Sequence, residues 1–266
     1  MRSARLWHQS VNELHQLDVY GRALSEHARA VLGDDATVDV HGLPGGTYGG
    51  LSATGALGNA FIYHRLLDRV LVNAIEAERD GYDAFVIGSF SEPLLREIRS
   101  AVDIPVVSLT ESSLLVACSL GKFIAPISNA AAVVWMVRTA VEKHGLHARV
   151  LEVQSIAPPL EEPALQAAYQ HPGPVLEVFR AAAERAVAKG ADVIIPAEGV
   201  LAELVHRAGL RNVGGATVLD VFGATWAYAL MLVRLWRTGL RVGRAWHFRR
   251  DDAALVQAVH ERTRTI

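Results

Sequence analysis

Cysteine, charge of one sign and long apolar runs are all scarce in this chain, and each shortage removes a class of function. Cys118 is the only cysteine in 266 residues, so no disulfide can close within the chain and a cytoplasmic setting is expected. Lys and Arg number 26 against 28 Asp and Glu, a formal net charge of −2 that offers nucleic acid no basic footprint. The nearest thing to a basic run, "RTGLRVGRAWHFRR" from Arg237 to Arg250, is broken by apolar residues and reads as a solvated strand and turn. The longest apolar stretches, Phe123 to Val137 and Val221 to Val233, each end at an arginine. Both fall short of the roughly 18 residues that a membrane span needs. The opening "MRSARLWHQS" lacks the apolar core of a signal peptide, so no membrane partner is expected. The 11 histidines show neither a His-Glu-x-x-His spacing nor a Cys/His cluster, and no metal site is expected. The run "GGTYGG" (Gly45 to Gly50) has neither the Lys-Ser/Thr ending of a P-loop nor a dinucleotide fingerprint. It reads as a loop or lid, with Tyr48 reaching for substrate. No Gly-x-Ser-x-Gly elbow supports a serine hydrolase.

Apolar residues, by contrast, make up 51% of the chain, enough for a large core. Short apolar runs alternate with amphipathic stretches: "RLWHQS", "ATVDVHGL", "DAFVIGS" and "IPVVSL", then "KFIAPIS", "ARVLEV", "DVIIPAE" and "ATVLDV". Such alternation predicts an α/β fold with mostly parallel sheets covered on both faces. The order restarts at Gly121. Gly81 matches Gly190, Asp83 matches Asp192, Ser89 matches Glu198 and Glu111 matches Asp220, all at an offset of 109 (190 − 81; 220 − 111). An internal duplication follows, with two pseudo-symmetric doubly wound lobes, each built on a four-stranded or similar sheet, and a cleft between them. The expected lobes span residues 1–120 and 121–225, with a helix and tail over 226–266 returning to the first lobe. An apolar helix face around Trp226, Leu230 and Trp236 is the expected seat of a homo-oligomer.

The stretches "GYDAFVIGSFSEPLL", "DIPVVSLTESSLLVACSLGKF", "GADVIIPAEGV" and "ATVLDVFGATWAYAL" resemble the aspartate/glutamate/hydantoin racemase superfamily, in its hydantoin-racemase-like branch. The resemblance covers most of the chain. It implies two lobes that each present a cysteine from a strand end, the pair moving a proton on opposite faces of a carbon beside a carbonyl, with no cofactor. Here the first of those positions is Ser89. The second is Glu198 when counted without gaps, or Ala197 if the following glycine, Gly199, is aligned instead. Cys118 lies at no catalytic position of the family and reads as a small buried hydrophobe. A decarboxylase of the same superfamily keeps the cysteine of one lobe only.

Glu198 is therefore the expected single general acid/base, and Ser89 faces it as a hydrogen-bond donor, since a hydroxyl is too weakly acidic to replace a thiolate. The competing reading makes Glu198 a helix cap or the partner of a surface arginine, and helix capping is the parallel alternative for Ser89 and Ser91. Ser91 and the backbone N–H groups of Phe90 and Ser91 are candidates to hold a substrate oxygen. Glu111, Gln9, Ser10, Ser128, Asn129 and Gly199 complete the expected substrate contacts. The substrate is expected to be a small carboxylate or cyclic amide. Lyase or decarboxylase chemistry, hydrolysis of a cyclic amide, and plain binding of a small acid are the alternatives on the same scaffold.

Overall fold

Apolar runs preceded by an acid become parallel strands in both halves of the chain. The computed structural model describes residues 2–245 except Ser52, Leu57 and Glu161, together with positions 254, 257–259 and 261. The first half contains β1 (Ala4–Ser10), a 3-10 turn (Leu14–Gln16), α1 (Asp18–Leu32), β2 (Ala36–His41), α2 (Ala53–Ala56), α3 (Ala60–Arg79), β3 (Ala84–Gly88), α4 (Leu95–Ala101), β4 (Val106–Ser108) and α5 (Leu109–Leu120). The second contains β5 (Ile124–Ser128), α6 (Ala131–Lys143), β6 (Gln154–Ser155), α7 (Glu162–Ala167), α8 (Gly173–Ala188), β7 (Val193–Pro196), α9 (Gly199–Arg207), β8 (Asn212–Val213), β9 (Ala216–Val218) and α10 (Val221–Arg237). The first sheet, in the order β2-β1-β3-β4, is parallel throughout. The second, β6-β5-β7-β9-β8, is parallel except for the short β8–β9 hairpin.

The repeat has a physical counterpart. Asp83, just ahead of β3, accepts a bond from the backbone N–H of Arg5 at 2.9 Å. Asp192, just ahead of β7, accepts the N–H groups of Lys122 and Phe123 at 2.9 Å each. In each lobe the acid thus satisfies backbone donors where the neighbouring strand begins. The registers agree as well: Gln9 pairs with Ile87 in one sheet, and Ile127 with Pro196 in the other. Two residues beyond each of these strand positions stand Ser89 and Glu198. The Glu111/Asp220 match is looser, because Ser108 caps α5 whereas Asp220 itself caps α10.

Several local expectations need correction. "ARVLEV" makes only an isolated bridge, Ile124 to Val150, and the extended pairing is confined to β6. Arg149 is turned to other work there, donating to the carbonyls of Cys118, Gly121 and Lys122. Neither Ser128 nor Asn129 caps α6, whose N-cap is Ala130 without a side-chain bond. Trp226 is fully buried and Leu230 is 7% exposed, so the proposed oligomer face is interior. Trp236 donates its indole N–H to the Asp103 carbonyl at 3.0 Å.

The reason is the course of α10, which leaves the second sheet and packs on the first beside α1 and α5. Alternation along β1 and β3 separates two cores. Trp7, Phe85 and Ile87 face α3 and α4, while Leu6 and Val86 belong to a core shared with Ile127, Ile194 and Trp226 of the second half. Within this shared core lies a charge cluster. His27 of α1 sits between two carboxylates, with Nδ1 2.8 Å from Glu203 and Nε2 3.0 Å from Asp220. The ring of His206 stacks on it at 3.5 Å and 17°, with its Nδ1 3.3 Å from Asp220. Burial alone would push the His27 pKa down, but the bonds and charges of Asp220 and Glu203 prevail and raise it to about 9. His27, His206 and Asp220 have the spacing of a cation site. Asp220 Oδ2 bridges the two rings, 3.0 Å from His27 Nε2 and 3.3 Å from His206 Nδ1.

No helix among the described residues is long and apolar enough to cross a membrane. The His27 cluster makes stability pH-dependent. Because the folded-state value of about 9 lies above the unfolded value of 6.5, the contribution is complete below 6.5 and is lost as pH rises through 9. Calorimetry should show Tm falling over that window, and Glu203→Gln should move the midpoint of the fall to lower pH.

Candidate functional site

The strand ends bring the two matching positions together. A cavity of about 50 Å³ lies between the lobes, with Ser89 on the wall that follows β3 and Glu198 on the wall that precedes α9. Gly88, Phe90, Ser91 and Gly199 line it beside them. Val11 and Asn12 of the loop after β1, Ala53 of α2, and Ala132, Val133 and Met136 of α6 complete it.

Glu198 adopts an extended backbone and caps α9. Its Oε1 accepts the N–H of Val200 at 3.1 Å, and its Oε2 accepts the N–H of Leu201 at 2.7 Å. The capping reading and the cleft reading are therefore both true of this residue. The two bonds orient the carboxylate at the cavity wall. Ala197, the other candidate, is fully buried, and its N–H is spent on the Ile127 carbonyl at 2.7 Å. Ser89 is 8% exposed, and its Oγ lies 2.8 Å from that of Ser91 and accepts the Ser91 N–H at 3.2 Å. The wall facing the carboxylate thus consists of paired hydroxyls.

Two glycines make the close approach possible. A Cβ on Gly88 would lie 2.3 Å from Nε2 of His8, and one on Gly199 would lie 2.8 Å from the Tyr20 hydroxyl. His8 is wholly buried, with its Nδ1 accepting the Trp226 indole N–H at 3.2 Å. Burial, then the nearby His41, lowers its pKa to about 3, so it packs as a neutral ring against Gly88.

Beyond Ser91 the chain turns through Glu92, at φ 50°, and Leu94, at φ 53°, a conformation costly for residues other than glycine. Glu92 holds this turn. Its carboxylate accepts bonds from Ser108 and from Lys143 and from the Glu111 N–H at 3.2 Å, and lies 2.8 Å from His144 Nε2. Burial would push the Glu92 pKa up, but His144 and Lys143 outweigh it and lower it to about 2. Because Lys143 and His144 close α6, this cluster ties the Ser89 loop of one lobe to the cavity helix of the other.

The remaining expected contacts lie elsewhere. Gln9 is fully buried and spent within its lobe, accepting from Trp7 and Asn73 and donating to the Ser10 carbonyl. Ser10 is fully buried, and its Oγ accepts the Asn12 N–H. Tyr48 is no lid residue: it is buried and donates its hydroxyl to the Val11 carbonyl at 2.5 Å. Glu111 is held by the Arg99 guanidinium, at 3.1 Å for its Oε1, and does not line the cavity. Ser128 and Asn129 are buried and do not line the cavity, and Asn129 donates to the Leu160 carbonyl. The sequence reading did not single out Asn12 or the α6 face. The helical period of "AAVVWMV" marks such a face, but periodicity does not say which cavity it meets.

Comparison with known proteins places this geometry in context. The family model described as Asp/Glu/Hydantoin racemase matches residues 20–229. A hydantoin racemase from Pseudomonas sp. (strain NS671) is 31% identical over 80 residues, a stretch that spans 30% of this chain and only 32% of that relative. Among solved structures, an allantoin racemase from Klebsiella pneumoniae is similar with a TM-score of 0.71 at 18% identity, covering 94% of each chain. The allantoin racemase from Pseudomonas fluorescens gives 0.69 at 20% identity, covering 92% of this chain and 96% of that one. Unliganded arylmalonate decarboxylase gives 0.50 at 15% identity, covering 93% and 99%. At these identities the structural matches concern the fold.

Glu198→Ala should lower stability by about 1 kcal/mol through loss of the α9 cap, while Glu198→Gln keeps an acceptor and loses less. Gly88→Ala should cost about 1–3 kcal/mol, because His8 is boxed in by Trp226. Urea titrations of the three variants check both values.

Proposed function

The chain belongs to the Asp/Glu/hydantoin racemase family, and from that premise we propose a cofactor-independent enzyme that moves a proton at a carbon beside a carbonyl or carboxylate of a small molecule, with Glu198 as its single acid–base group opposite Ser89. One observation carries this reading. Equivalent strand ends of the two lobes deliver a carboxylate and a hydroxyl pair to opposite walls of one small cavity. The substrate's oxygen lies against the Ser89 and Ser91 hydroxyls, which donate hydrogen bonds as negative charge grows on it. The substrate C–H bond breaks, its proton joins a Glu198 oxygen, and the electron pair moves into the enolate. Return of a proton to the same face gives exchange with solvent, and return to the opposite face inverts the carbon. The N–H groups of Val200 and Leu201 keep the carboxylate in place throughout.

The hydroxyl wall favours chemistry on one face. Ser89 and Ser91 bond to each other, and among the described residues no carboxylate or imidazole is bound to them. A hydroxyl without such a neighbour does not take a proton from carbon. The same asymmetry supports a second reading, decarboxylation, in which the C–CO2 bond breaks and a protonated Glu198 delivers its proton to the enolate carbon.

Small α-carbonyl acids and 5-substituted hydantoins in D2O test the proposal. Deuterium should enter the reactive carbon faster than chirality inverts, as expected of a base that reaches one face and exchanges its proton with solvent before returning it. Glu198→Gln should slow exchange by about 10²–10⁴-fold, and Ser89→Ala by about 10²-fold. Undiminished exchange in Glu198→Gln overturns the assignment.

A further inference from the structure

The inner cavity is too small for a whole substrate. Its volume of about 50 Å³ takes on the order of four water-sized groups, which suits a carboxylate or amide and the carbon that bears it. Ser91, Ala132 and Met136 line it, and the same three residues line a neighbouring groove of about 500 Å³ between α3 and α6. A group attached to the reactive carbon has that groove as its adjoining space.

The chemistry of the groove is one-sided. Tyr63 of α3 and Trp135, Met136 and Thr139 of α6 border it, and Trp135 is 66% exposed. Apolar groups predominate in its lining, with Ala60, Ala132, Met136 and Ala140 beside the rings of Tyr63 and Trp135. The Tyr63 hydroxyl donates to the Ser91 carbonyl at 2.9 Å, and that of Thr139 to the Trp135 carbonyl at 3.1 Å. Lys143 is paired with Glu92, and the Ser91 hydroxyl stands beside Ser89 at the inner cavity. A ureido or carboxyl group placed against this lining would lose bonds to water and regain few, whereas an aromatic ring loses none. Aromatic and thioether walls also pack well against a ring.

We infer that the groove is a substrate subsite, and that the substrate carries an aromatic or branched apolar group on its reactive carbon. Trp135 and Thr139 set the size of that group. The inference rests on the proton-transfer reading for its turnover test, and a binding test separates the two.

In the turnover test, exchange is compared for 5-benzylhydantoin, 5-methylhydantoin and allantoin, whose substituent is a ureido group. The benzyl compound should lead both others in kcat/KM by at least about tenfold. Thr139→Trp, which fills the groove outside the inner cavity, should cut the benzyl-to-methyl ratio by at least about tenfold. In the binding test, phenylacetate should bind more tightly than acetate and quench Trp135 fluorescence, and Thr139→Trp should abolish the preference. The wild-type comparisons stand even if that variant fails to fold. Phenylacetate preference without exchange of any compound sinks the proton-transfer reading and leaves the subsite standing. Equal or better use of allantoin, or equal binding of acetate and phenylacetate, overturns the subsite. So does a dimer that Thr139→Trp dissociates without any phenylacetate preference, because the groove would then be an interface.

Discussion

Burying His27 with its side chain 2% exposed is tolerable only because a carboxylate stands at each ring nitrogen. A buried charge without such partners would neutralise or drive the site open. The partners come from separate elements: Glu203 from the body of α9, and Asp220 from the cap of α10. Helix α1 of the first lobe is thereby held against two helices of the second, in an arrangement that tolerates little sliding. An apolar interface alone would permit several offsets of similar energy. The charge cluster selects one.

The candidate site inherits its precision from that selection. Glu198 begins the helix that carries Glu203 and His206, so fixing α9 on His27 fixes the carboxylate at its tip. At the opposite flank, Glu92 ties the Ser89 loop to the end of α6. Between these two clamps the cavity walls approach closely, and only glycine fits at 88 and 199, where His8 and Tyr20 stand behind the backbone. The backbone strain at Glu92 and Leu94 belongs to the same design. Helix α4 begins at Leu95, farther from its strand than α9 is from β7, and the intervening turn bends Glu92 toward its partners.

Much of this was legible in the sequence for identifiable reasons. Continuous apolar strands such as "DAFVIG" and "DVIIP" announce sheets covered on both faces. The glycine–acid–strand repeat announced two lobes, because Asp83 and Asp192 perform the same backbone task. Ser89 and Glu198 emerged from that repeat and from the family resemblance. Reading failed where a residue's partner lay far along the chain. Gln9, Ser10 and Tyr48 look like cleft residues by position, but Asn73, Asn12 and Val11 claim their polar groups. Trp226 and Leu230 look like a surface stripe until α10 is seen to cross onto the other sheet.

The sequence by itself determined the local chemistry: parallel strands and covering helices, a carboxylate and a serine at matching strand ends, and one cysteine far from both. These follow from periodicity, capping and backbone preference, which act over a few residues. Only the tertiary structure decided that the Glu198 carboxylate serves the cap and the cavity together. It alone showed that the α6 face meets α3 to form an apolar groove, and that a protonated histidine joins the lobes. Those outcomes depend on contacts between residues distant in the chain, such as Tyr63 with Trp135 across the groove and His27 with Glu203, whose energies exist only once burial has removed the water between them.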